Sequence, residues 1–176
     1  KDSSDCSYLD DVAEKEPLEI RLLYYIDGDR ESKNISVTMR TPGNDFELAM
    51  GFLFTEGIIA SRQEVKKVGY PESICSIDSR NIVVVELWEN IQPKLAQADR
   101  NFYTTSSCGV CGKGSIAAIK TVSPFAHMGR ELMTINIQVL YQLADKLNVF
   151  QNNFSLTGGI HAAAIFDIEG SFITLR

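Results

Sequence analysis

The run Ile82-Val83-Val84-Val85 constrains the fold of this chain more than any other short segment. β-Branched residues are stiff at χ1 and favour extended backbone. An unbroken apolar run, with no polar residue in alternation, predicts a strand covered on both faces. Such a strand needs a layer on each side of its sheet; with the order of the elements that follow, this points to an α/β or α+β layered domain with helices packed on a mixed sheet.

The rest of the chain supplies the other layers. Residues 18–26 and 34–39 read as strands joined by Asp27-Gly28-Asp29, a hairpin signal. Arg40-Thr41-Pro42-Gly43 turns the chain. Asn44, with Glu47 three positions on, matches a capping box. The helix that follows carries Phe46, Ala49, Met50, Leu53 and Phe54, a core-facing stripe, and Gly57 is placed to end it in a left-handed conformation. Residues 64–70 and 81–88 read as strands, 91–101 as a polar connection, 102–105 as a short strand and 115–120 as a helix. Thr134 is expected to cap a second long helix over 135–147, with the stripe Ile135, Val139, Leu143 and Leu147. Thr157-Gly158-Gly159 reads as a turn, and 160–167 and 171–175 as strands. No internal repeat or low-complexity tract interrupts this order.

A chain of 176 residues suits one domain, or one domain with a small lobe. With 44% hydrophobic residues it is too apolar to be disordered. Residues 1–16 hold six carboxylates and read as an acidic, mobile arm rather than a secretory signal. The net charge of −6 and scattered basic residues argue against general nucleic-acid binding, although a local basic pocket for one phosphorylated molecule is compatible with them. No apolar run is long enough to span a bilayer, so no membrane partner is expected.

Of four cysteines, only Cys108 and Cys111 lie close together. A single tight pair does not read as a disulfide framework; it reads as a functional dithiol in a reducing, cytoplasmic setting. Thiolate is the reactive form, and Lys113 with a following helix N-terminus would favour it. Gly109, Gly112 and Gly114 allow close approach of a partner. Three readings compete: half of a zinc site, a thioredoxin-like redox motif, and a mobile sulfur-relay loop. The zinc reading lacks a second ligand pair and the redox reading lacks a long following helix.

Here the residues carry a resemblance. Ser107-Cys108-Gly109-Val110-Cys111-Gly112-Lys113 resembles the cysteine motif of the formate dehydrogenase accessory proteins called FdhD. The block from Arg40-Thr41-Pro42-Gly43-Asn44-Asp45 to Thr55-Glu56-Gly57-Ile58-Ile59 is similar to a second motif of that family. Thr157-Gly158-Gly159-Ile160-His161-Ala162-Ala163-Ala164 is similar to a third.

The resemblance implies a sulfurtransferase that takes persulfide sulfur from a cysteine desulfurase. It implies delivery to the molybdenum cofactor, a bis-guanine-dinucleotide molybdopterin, for formate dehydrogenase. No permanent cofactor and no metal are expected. It also implies a cytidine deaminase-like fold with helices on both faces of the sheet, a small N-terminal β/α lobe and a homodimer. Cys108 is then the expected persulfide-bearing nucleophile and Cys111 its partner. Arg40, Lys113, Gly158, Gly159 and His161 are the candidate cofactor contacts. Each has a plainer reading: Arg40 as a surface arginine, Gly158-Gly159 as a turn leading into a strand, His161 as a partly buried histidine. The histidine is followed by Ala162-Ala163, without the glutamate of a His-x-Glu deaminase site, so deamination is not expected. Members of the family continue past the last strand here, so residues 17–176 read as one domain truncated at its C-terminus, with much of the nucleotide pocket expected beyond Arg176. The alternative function is a zinc- or nucleotide-binding module that uses the pair structurally.

Overall fold

A computed structural model describes residues 11–71, 80–95, 102–103, 134–160 and 162–176. The chain divides into two compact units, Lys15–Gly129 and a second made of Lys1–Glu14 with Arg130–Arg176.

The first unit is built on a five-stranded mixed sheet. Strand β1 (Glu16–Ile26) and strand β2 (Asp29–Arg40) form a hairpin. Its turn is Asp27-Gly28, with φ of 52° and 90°, the pair of left-handed residues that a two-residue hairpin needs. Helix α1 (Asp45–Thr55) follows, then β3 (Val65–Gly69), β4 (Ile82–Leu87) and the short β5 (Phe102–Tyr103). The order across the sheet is β3-β4-β1-β2-β5. β4 lies parallel to β1, and β5 parallel to β2; the other two pairings are antiparallel.

One face of the sheet carries the core. Leu18, Ile20, Leu22 and Tyr24 of β1 alternate inward, joined by Ile35, Val65, Val83, Val85 and Leu87. Ala49 and Leu53 of α1 and Ile58 and Ile59 beyond it close the layer. The helix ends as the glycine signal predicted. Gly57 has φ 69°, its N–H donates to Phe54 O and that of Ile58 to Leu53 O, a Schellman arrangement. Truncating a fully buried side chain such as Leu53 to alanine costs about 2–5 kcal/mol.

Two expectations need correction. Asn44 precedes the helix but its side chain makes no capping bond. The run 82–85 is not equally covered on both sides: Val83 and Val85 are buried, whereas Ile82 and Val84 are half-buried. The reason lies in the neighbours. The face opposite the core carries Glu19, Arg21, Leu23 and Tyr25 of β1 and Glu86 of β4, so Val84 sits among polar and charged neighbours. Among the described residues of this unit, α1 on the core face is the one α-helix.

The second unit contains helix α2 (Ile137–Phe150), the short α3 (Asn152–Thr157) and a two-stranded antiparallel ribbon, β6 (Ala164–Phe166) and β7 (Phe172–Leu175). α2 begins two residues later than expected. Asn136, not Thr134, is the cap, its side chain accepting from Gln138 N at 2.9 Å. The expected stripe is present in Val139, Leu143 and Leu147, the half-buried residues of this helix together with Lys146. Gly170, at φ 77°, packs beneath it, and Lys146 Nζ donates to Gly170 O at 2.6 Å. Phe150 stacks on Phe172 with centroids 3.8 Å apart. The strand expected over 160–167 is confined to its last part, β6.

Candidate functional site

Cys108, Cys111, Lys113 and His161 lie outside the described residues, as do Cys6, Cys75 and His127. The expected helix at 115–120 lies there too. The structure places the short strand β5, which precedes the cysteine segment in the sequence. β5 pairs with β2 through Phe102 opposite Ser36 and Tyr103 opposite Val37. The two run parallel, so β5 points in the direction in which β2 runs to Arg40. Cys108 is five residues after Tyr103 in the sequence.

The end of the sheet where β2 finishes is organised by Arg40. Its side chain is only 6% exposed, so it is not a surface arginine. Nε donates to Asp45 Oδ1 at 2.9 Å and Nη2 to Asp45 Oδ2 at 3.1 Å. Nη1 donates to Glu16 Oε2 at 3.2 Å, and Nη2 also donates to Asn81 Oδ1 at 2.9 Å and, more weakly, to Arg80 O at 3.5 Å. The Tyr70 hydroxyl completes the cluster, donating to Asp45 Oδ2 at 3.2 Å. One guanidinium thus ties together the start of β1, the end of β2, the first residue of α1 and the approach to β4. Through Asp45 it also reaches the residue after β3.

The electrostatics follow from this packing. Burial opposes the charge on Arg40, but hydrogen bonds to Asp45 and Glu16 outweigh it and raise the guanidinium pKa. Burial is also the main reason the Tyr70 hydroxyl is pushed up, with the Asp45 carboxylate adding to it. Four of the five N–H donors of Arg40 are committed here. A phosphate contact by Arg40 would use the remaining Nη1–H or displace a partner. The sequence singled out Arg40 but not Asp45, Tyr70, Glu16 or Asn81. The one available signal was the spacing of Arg40 and Asp45 around a Pro-Gly turn.

Gly158 and Gly159 belong to the second unit. Rather than a simple turn, Gly158 is the left-handed cap of α3, with φ 62° and its N–H bonded to Phe154 O at 2.8 Å. The Gly159 N–H is bonded to Thr157 Oγ1 at 3.2 Å. Both amides are therefore already paired, so what the glycines offer a ligand is open space: nothing lies within 4 Å of a side chain built at Gly158. Ile160, next to His161, has φ 83°. A β-branched residue adopts that conformation rarely and at a cost on the order of 1–3 kcal/mol. No sequence signal announced this strain. Among the described residues no group of three or more His, Cys, Asp or Glu is arranged to hold a metal ion.

Fold and site together define a mixed α/β protein whose tight cysteine pair follows a strand at the edge of the sheet. Comparison with known families then names the group. The model described as the FdhD/NarQ family matches residues 17–176, and the chain belongs to that family. A protein of Mycobacterium tuberculosis named sulfur carrier protein FdhD is 40% identical over 170 residues, covering 94% of this chain and 58% of the relative. Proteins of the same name from Streptomyces coelicolor and Sulfolobus acidocaldarius are 36% and 37% identical, covering 95% and 99% of this chain and 57% and 59% of their own lengths. The chain therefore spans a little under three-fifths of the length of these relatives. No helix among the described residues is long and apolar enough to cross a membrane.

Proposed function

We propose that this chain carries sulfur as a persulfide on its Cys108–Cys111 pair. The observation that carries the reading is the family match over residues 17–176, which takes in the segment from Ser107 to Lys113. The name of these relatives, sulfur carrier protein, supports it.

The chemistry balances with the residues present. The Cys108 thiolate attacks the outer sulfur of a desulfurase persulfide. The new S–S bond forms on Cys108 as the donor's S–S bond breaks, and the donor leaves as a thiolate. The Cys111 thiolate then attacks the inner sulfur of the Cys108 persulfide. Hydrosulfide leaves towards the acceptor and a Cys108–Cys111 disulfide remains, which a dithiol reductant must reopen by a two-electron exchange. Lys113 favours both thiolates. A reducing, cytoplasmic compartment suits this cycle.

In this reading the sulfur donor is a cysteine desulfurase. The acceptor is the bis-guanine-dinucleotide molybdenum cofactor bound for formate dehydrogenase, held as substrate and not as a resident group. Arg40 and Lys113 are its polar contacts. The reading carries with it a cytidine deaminase-like fold with an N-terminal β/α lobe, and a homodimer. The test is a maturation assay with Cys108→Ala and Cys111→Ala. Each variant should abolish formate dehydrogenase activity in cells while its circular dichroism melt matches the parent. Loss of stability in both would instead mark the pair as structural, and full activity of Cys108→Ala would exclude Cys108 as the nucleophile.

A further inference from the structure

Among the described residues, the sheet face opposite the core holds an open trough of about 480 Å³. Its floor is Leu23 and Val84. Around it stand Arg21 of β1, Arg30 of β2 and Lys67 of β3, with Tyr25, Tyr70 and Ser32. The chain has a net charge of −6, yet the lining carries three cations and one carboxylate, Glu86. Glu86 accepts from Tyr25 Oη at 2.9 Å and pairs with Lys66 at 3.2 Å and Arg30 at 3.6 Å. Glu19 pairs with Arg21 beside the trough, and Glu89 adds a negative charge near Lys66.

The cations are spread rather than clustered. Lys67 and Arg30 stand on strands three places apart, about 14 Å between backbones. Arg30 pairs with Tyr25, four residues from Arg21, or about 13 Å along the strand. Arg21 is held by its own neighbour Glu19. A single phosphate is too small to meet all three. An extended segment rising about 3.3 Å per residue places carboxylates four positions apart at the same interval as the cations. A β-bulge at Lys66-Lys67 sets both lysines opposite Glu86, which concentrates charge at the edge strand.

We propose that this trough binds an extended acidic segment of a partner protein, an inference independent of the sulfur reading. The ligand lies across the sheet, its carboxylates meeting Arg21, Arg30 and Lys67 while its backbone passes over Leu23 and Val84.

The test is fluorescence anisotropy of the chain with a rhodamine-labelled decapeptide of alternating Glu and Ser. Binding should weaken as salt rises. Arg30→Gln and Lys67→Gln should each weaken it about threefold and together about tenfold, as for solvent-exposed charge pairs. Arg30→Lys should restore most of the affinity, and Lys94→Gln, outside the trough, should change nothing. The exposed Lys67→Gln leaves the core intact, which thermal melts verify. Several results would overturn the proposal: no binding by the parent chain, equal binding of a Gln-Ser peptide, or undiminished binding by the double variant. Preference for pyrophosphate or for a ten-residue oligothymidylate would do the same, by showing a phosphate site.

Discussion

Arg40 and Asp45 face each other as a buried two-pronged ion pair, Nε to Oδ1 at 2.9 Å and Nη2 to Oδ2 at 3.1 Å. The pair joins the last residue of β2 to the first residue of α1. With Asp45 3% exposed, neither charge is compensated by water. Removing Asp45 leaves the buried Arg40 with Glu16 as its one charged partner among the described residues and two donors unmet, a loss of about 3–5 kcal/mol. Asp45→Ala should therefore lower the urea-unfolding free energy by that amount. The Arg40→Met/Asp45→Ala double variant should lose less than the sum of the two single changes. A loss below about 1 kcal/mol for Asp45→Ala, the range of exposed pairs, would contradict this account of the sheet end.

Two left-handed glycines should respond differently to alanine. At Gly170 a Cβ would sit 2.7 Å from Val139 Cγ1, and φ is 77°. Steric conflict adds to conformational strain, so Gly170→Ala should cost about 2–4 kcal/mol. At Gly158 a Cβ meets open space, and φ 62° alone should cost about 1 kcal/mol. Thermal melts of the two variants compare them. Equal losses would mean that the packing of α2 over Gly170 is not as described.

Glu86 gives a pH dependence with a defined sign. Burial alone would raise its carboxyl, but the Tyr25 hydroxyl and the Lys66 ammonium outweigh burial and hold it below its ordinary value. A depressed carboxyl pKa adds stability that is fully present above its unfolded value, about 4.5. That stability is lost as pH falls through the lower folded value. Glu86→Gln should flatten the acid limb of a stability–pH curve below about pH 4.5 while the neutral region keeps its shape. An unchanged acid limb would show that Glu86 is not held in this way.

What could be read in the sequence was mostly local. The Asp27-Gly28 hairpin and the Gly57 cap were legible because the turn geometry demands those residues. The stripe Val139, Leu143 and Leu147 was legible from its spacing, though the start of α2 was displaced because the Asn136 side chain reaches Gln138 N first. α3 was missed: Asn152, Ser155 and Thr157 are poor helix formers, and Phe154 and Leu156 alternate as in a strand. The partial exposure of Val84 was illegible because its neighbour across the sheet, Arg21 on β1, is far away in the chain. The site divides in the same way. Two thiols separated by two residues are visible in any reading of the sequence. The partners of Arg40 at Glu16 and Asn81, 24 and 41 positions away, are brought to it only by the fold.

The central claim is that Cys108 and Cys111 carry sulfur, and mass addition tests it most directly. The reduced chain is incubated with a cysteine desulfurase and cysteine, its remaining thiols are blocked, and intact mass is followed by peptide mapping. One persulfide adds about 32 Da. The account predicts that gain on the peptide bearing Cys108 and Cys111, and its disappearance in the Cys108→Ala/Cys111→Ala variant. No gain at all, or a gain confined to Cys6 or Cys75, would contradict it.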